Sequence, residues 1–151
     1  MAKAKDPEKF RRSVNSFNKI IVGLQKLGIA FGPTHLLTVA GRRSGAPRTA
    51  PVAVVPIDGD RYLFQAYPRS AWVANVRAAG IATLARGRRS TTVRLVEVPV
   101  EERSGLLRDH VAHSPARVGN LLVDSGLVEK SDPDSVAAAA DRIAVFRIEA
   151  A

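Results

Sequence analysis

Two short apolar runs, Leu36–Ala40 and Pro51–Pro56, flank a polar connector, Gly41-Arg42-Arg43-Ser44-Gly45-Ala46-Pro47-Arg48. Both runs are rich in Val, Leu and Thr, which fits buried strands. Two Gly, one Pro and one Ser between them predict a hairpin loop longer than two residues. Downstream, Asp58-Gly59-Asp60 reads as a turn, Tyr62–Ala66 as a strand, and Ser70 as the cap of a short helix, Ala71–Ala79, which Gly80 ends. Ile81–Arg86 reads as a strand and Gly87-Arg88-Arg89 as a basic turn. Ser90–Val98 alternates as an edge or half-exposed strand does. Pro99 opens a helix to about Ala112, with acids in its first turn. Pro115–Leu127 and Ser135–Ala139 read as helical, and Arg142–Ile148 as a last strand that places Ile143, Val145 and the Arg147 stem on one face. Six mostly antiparallel strands, one helix after the third and several before the sixth, predict a small α+β barrel.

Ahead of this, residues 1–7 are polar and read as disordered. Phe10, Val14, Phe17, Ile20, Ile21, Leu24 and Leu27 form one helical stripe over residues 8–28, opposite Lys9, Arg11, Arg12, Lys19 and Lys26. A helix packed on the barrel and a basic amphipathic helix resting on an anionic membrane both satisfy that pattern.

A chain of 151 residues points to a single domain with a core of its own. There is no cysteine, hence no disulfide and no thiolate chemistry, and the three histidines supply no metal-binding pattern. No Ser-His-Asp set or carboxylate pair stands out for hydrolysis. The net charge of +9 is uneven. Residues 1–96 hold 17 Lys/Arg against 4 Asp/Glu, and the remainder holds 6 against 10. The N-terminal two-thirds therefore attracts an acidic partner. Few aromatics and no nucleic-acid motif argue against nucleic acid as that partner. No apolar run reaches membrane-spanning length and no signal-peptide order is present, so the expected location is cytoplasmic, with peripheral attachment to the inner membrane face as the alternative.

The charge concentrates in the connector, where three Arg fall within seven positions. Crowded like charges repel unless an anion offsets them. Gly lets a backbone approach a ligand with its N–H groups free, and Arg offers a planar fork to phosphate or carboxylate. The loop reads as an anion cradle or as a solvated basic tip. It matches neither the P-loop nor G-x-G-x-x-G, and it joins strand to strand.

The segment Leu36–Pro51, the following turn and strand, and Ser70-Ala71-Trp72-Val73-Ala74-Asn75-Val76-Arg77-Ala78 together resemble the deazaflavin-dependent nitroreductase family of actinobacteria. Those are split β-barrel oxidoreductases that bind coenzyme F420, a deazaflavin with a phosphate and an oligoglutamate tail. The resemblance covers roughly residues 10–98, plus the last strand in order of elements. It implies that Arg43 and Arg48 lie near the cofactor's anionic tail, with Ser44 and Gly45 in the same loop and Pro51 after it. It implies that Trp72 and Asn75 lie on a helix beside the cofactor; Trp72 as a core anchor and Asn75 as a helix-surface hydrogen-bonder are the plain readings of those residues. Where relatives have Ala-Ser-Lys-Gly-Gly, this chain has Ala66-Tyr67-Pro68-Arg69-Ser70, with Arg69 the candidate to replace the lysine. Tyr67 is the candidate proton donor, and water the alternative. The implied activity is hydride transfer to an electron-poor small molecule such as an enone, quinone or nitro compound. An FMN-binding split-barrel enzyme and a non-catalytic deazaflavin carrier are the alternatives. Relatives include monomers and homodimers.

Overall fold

The computed structural model describes residues 34–151. The N-terminal helix expected over 8–28, and any membrane contact through it, lie outside the described residues. Six strands, β1 (Thr34–Ala40), β2 (Pro47–Ile57), β3 (Asp60–Phe64), β4 (Ile81–Arg86), β5 (Arg89–Glu97) and β6 (Val145–Ala150), close into an antiparallel barrel in the order β1-β2-β3-β6-β5-β4. Among the described residues four helices accompany them: α1 (Ala71–Ala79), α2 (Val100–Ala112), α3 (Ala116–Asp124) and α4 (Pro133–Ala138). This is the α+β split-barrel architecture.

Alternation along each strand fills the barrel. Leu37, Val39, Leu63, Leu84, Val93, Leu95, Phe146 and Ile148 point inward and are buried together. Trp72, Val73 and Val76 of α1 join that core, so α1 plugs one end of the barrel. The β1–β2 hairpin lies at this end, which we call the hairpin pole. Its opposite, the far pole, carries the turns after β2 and β4, because Leu36 pairs with Ala85 and Ile57 with Asp60.

The α2–α4 segment forms a second layer between β5 and β6. It packs Leu107, Leu122, Leu127 and Val136 on the outer faces of β3 and β6, through Tyr62 and Val145. Arg103 is buried between layer and barrel. It donates to the carbonyls of Val98 (2.7 Å) and Ala140 (3.2 Å) and to Glu97 (2.9 Å). Three charge-bearing hydrogen bonds make such a burial tolerable.

Three local expectations are corrected. Strand β5 is the half-exposed strand of the two alternatives and not an edge strand, since barrel closure pairs it on both sides with β4 and β6. The last strand starts at Val145, three residues later than its apolar run suggests. It is buried on both faces, so Ile143 and Val145 belong to the helical layer while Phe146 and Ile148 enter the barrel. Ser70 occupies the cap position of α1, yet its hydroxyl donates to the Tyr67 carbonyl at 2.7 Å and makes no side-chain cap.

Candidate functional site

The β1–β2 hairpin is held by its own backbone. The Gly41 N–H donates to the Ala46 carbonyl and the Gly45 N–H to the Gly41 carbonyl, both at 2.8 Å. Gly45 sits at φ +73°, a conformation that a side chain would strain. At Gly41 a Cβ would lie 3.2 Å from the Ala46 oxygen and 3.4 Å from Arg48 Cγ, so glycine lets the Arg48 stem fold over the turn. The Ser44 hydroxyl accepts from the Ala46 N–H at 3.2 Å. Ser44 and Gly45 therefore shape the turn.

The three hairpin arginines are not equivalent. Arg42 donates to Asn75 Oδ1 twice, from its backbone N–H at 3.1 Å and from Nη1 at 3.0 Å. Asn75 is buried on α1 and so ties the hairpin to the barrel plug. Its spacing from Arg42 in sequence hides this bond, and nothing in the arginine run marks Arg42 as the tethered member. Arg43 and Arg48 remain exposed, and among the described residues neither meets a carboxylate. The backbone N–H groups of Arg43 and Ser44, and Asn75 Nδ2, likewise have no acceptor among the described residues. The hairpin pole thus collects two unpaired guanidiniums, two unpaired backbone donors and one buried unpaired amide. That donor set suits an oxyanion.

The β3–α1 connection makes a second cluster. Gln65, which sequence reasoning missed, is buried and spans two segments. Its side chain donates to the Tyr67 carbonyl (3.0 Å) and accepts from the Ala144 N–H (3.0 Å), and its backbone N–H donates to the Ala144 carbonyl (2.9 Å). Ala66 and Tyr67 are half-buried in this loop. Arg69 holds φ +56°, unusual for a residue with a side chain. It lines a cavity of about 260 Å³ with Gln65, Ser70, Arg77, Asp141 and Arg142. Arg77 is fixed by Glu97, with Nη2 at 2.7 Å and Nε at 3.0 Å from its carboxylate oxygens. That hydrogen bond, with the charges of Arg77 and Arg103, holds the Glu97 carboxyl below its ordinary range despite partial burial.

The two clusters flank α1. At 100° per residue, Ser70, Val73, Ala74 and Arg77 share the cavity face, whereas Asn75 sits well round the helix toward the hairpin. Trp72 takes neither side: it is 7% exposed and its ring tilts against Phe146 at 5.7 Å inside the barrel. It is a core anchor between α1 and the barrel. Asn75, for its part, is buried and not on the helix surface. Pro51 lies in β2 opposite Leu36, four residues beyond Pro47, and is not part of the turn.

Among curated proteins none is significantly similar in sequence. Solved structures do align with it. One described as a domain-swapped dimer aligns with TM-score 0.50 at 20% identity, covering 95% of this chain and all of that one. A protein of unknown function from Agrobacterium tumefaciens aligns with TM-score 0.53 at 12% identity, covering 87% of this chain and 54% of its own. These establish a shared fold. An F420-H2 dependent reductase aligns with TM-score 0.45 at 22% identity over 78% of this chain and 95% of its own. The family model for F420H(2)-dependent quinone reductase matches residues 9–125, a span that contains the hairpin, the β3–α1 loop and α1. The chain therefore belongs to the F420H(2)-dependent quinone reductase family, oxidoreductases whose cofactor is coenzyme F420.

Proposed function

We propose that the protein passes a hydride from reduced F420 to an electron-poor small molecule of the quinone, enone or nitro class, with the cofactor's anionic tail held at the hairpin pole. The observation that carries this reading is the unpaired donor set around Arg43, Arg48 and Asn75, which fits a phosphate and a run of carboxylates. The cofactor supplies the hydride chemistry.

The chain's own residues bind and orient. Arg43 and Arg48, with the Arg43 and Ser44 N–H groups, neutralise the tail. Asn75 keeps the hairpin in place through Arg42 and leaves Nδ2 for the ligand. On the other side of α1, Arg69 and Arg142 present positive charge beside a small cavity that Gln65 braces. Tyr67, in the same braced loop, is the proposed proton donor to the reduced product; a Tyr67→Phe variant with unchanged turnover would give that role to water.

Fluorescence titration with F420 and, separately, FMN tests the reading. Binding of F420 in preference to FMN, with affinity reduced tenfold or more when Arg43 and Arg48 are both replaced by Ala, is expected. Unchanged affinity in that double variant would remove the hairpin from the site. F420 bound without turnover of any quinone would favour a carrier. The dimeric relative makes a homodimer the expected assembly, which light scattering reads directly.

A further inference from the structure

The β4–β5 turn at the far pole is Gly87-Arg88, one residue shorter than the sequence suggests because Arg89 already pairs as the first residue of β5. The residues of β1, β3, β4 and β5 that point into the barrel change character there. His35 continues the face of Leu37 and Val39, Arg61 that of Leu63, Arg86 that of Ala82 and Leu84, and Arg89 that of Val93 and Leu95. These side chains surround a mouth of about 460 Å³ whose apolar wall includes Leu84 and Val93. Such a volume is that of a small-molecule site, larger than a single phosphate needs.

Arg86 and Arg89 are direct cross-strand partners at the end of the β4–β5 ladder. Like charges placed opposite each other destabilise a sheet. Asp58 and Asp60 sit in the neighbouring β2–β3 turn, yet among the described residues neither pairs with Arg61, Arg86 or Arg89, and no other carboxylate does. Three guanidiniums thus rim a cavity with an apolar wall. A merely solvated basic surface would direct them outward from the barrel.

We infer that the far pole is a second anion site, separate from the hairpin pole, that takes a small multivalent organic anion carrying phosphoryl or carboxylate groups on an apolar body. The guanidinium forks of Arg61, Arg86 and Arg89 engage the anion, and its apolar part rests against Leu84 and Val93. This inference stands independently of where F420 binds.

The test uses the full chain with pyrophosphate and citrate as probes, followed through the Arg side-chain Nε–H signals by NMR and through thermal unfolding at 150 mM NaCl. Saturable shifts at Arg61, Arg86 and Arg89 and a rise in melting temperature are expected from at least one probe. Both should be lost in an Arg86→Gln, Arg89→Gln variant and kept in an Arg43→Gln, Arg48→Gln variant. Pyrophosphate acting alone assigns phosphoryl ligands, and citrate acting alone assigns carboxylates. No saturable response to either probe, or a response lost only in the hairpin variant, overturns the site. F420 affinity measured on the same variants keeps the two poles distinguishable: the far-pole variant should bind F420 within twofold of the parent.

Discussion

The hairpin pole and the far pole of this barrel both carry three or more arginines, but they are built differently. At the hairpin pole α1 fills the barrel, with Trp72, Val73 and Val76 inside it. The charge is held outside the plug, on a turn tied down by Asn75. At the far pole no helix among the described residues enters the barrel. The inward positions themselves become His35, Arg61, Arg86 and Arg89. A barrel end must be packed or wet. Here one end is packed so that a loop can be positioned, and the other keeps its charge in the mouth. Position on the barrel, more than residue type, decides what an arginine can do.

The largest effect should come from the plug. Trp72→Ala removes a buried indole and its contact with Phe146, and should cost about 3–5 kcal/mol in urea unfolding. Arg86→Ala at the far pole should shift stability by no more than about 1 kcal/mol. Equal costs would erase the contrast.

Next comes the tie between plug, barrel and helical layer. Glu97 accepts from Arg77 of α1 and from the buried Arg103 of α2. Glu97→Gln keeps the shape, removes the charge, and should cost about 1.5–3 kcal/mol. The pH dependence has a definite sign. Arg77's hydrogen bond holds folded Glu97 below its ordinary range. The stability it contributes is thus present above the unfolded glutamate value and is lost as pH falls from there through the folded value. The Gln variant should show a flatter acid limb, and an identical limb in both proteins would assign the acid sensitivity elsewhere.

Asn75→Ala is a smaller perturbation with two readouts. It orphans the Arg42 N–H and guanidinium, worth about 1–2 kcal/mol of stability, and frees the hairpin to move. F420 affinity should fall with it. By contrast, the Arg43→Ala, Arg48→Ala pair should leave stability within about 0.5 kcal/mol while affinity falls further. Loss of affinity without loss of stability in Asn75→Ala would mean that Asn75 touches the cofactor but does not hold the hairpin.

Local signals carried much of this fold. Ser70 before and Gly80 after an apolar triplet bound α1 at Ala71–Ala79, and the strand Ile81–Arg86 has its expected limits. The barrel was legible from its six mostly antiparallel strands, but the pairs that close it were not, because β1 meets β4 and β3 meets β6 through contacts far apart in the chain. The alternation of β6 was legible, with Ile143 and Val145 on one face, but its start was obscured, because a segment buried on both sides has no polar residue to mark where pairing begins. At the site, the arginine-rich turn could be read directly. Which arginine is tethered could not, since Asn75 chooses Arg42 across 33 positions of sequence. Gln65 gave no signal either, because its partners are backbone groups of Tyr67 and Ala144.

The smallest expected effect is the sharpest test of the far pole. Arg86 faces Arg89 across the last rung of β4–β5, and Gly87-Arg88 makes the turn between them. Arg86→Thr substitutes a good strand former and removes the like-charge pair. In anion-free buffer of low ionic strength it should raise stability by about 0.2–1 kcal/mol. Because the gain is relief of repulsion between exposed groups, it should shrink as NaCl rises to 0.5 M, where charges are screened within a few ångströms. A gain that persists at high salt would trace to strand propensity alone. A loss would mean that Arg86 already makes a stabilising contact, and the far pole would then resemble the hairpin pole, its charge fixed by the fold and no longer available to a ligand.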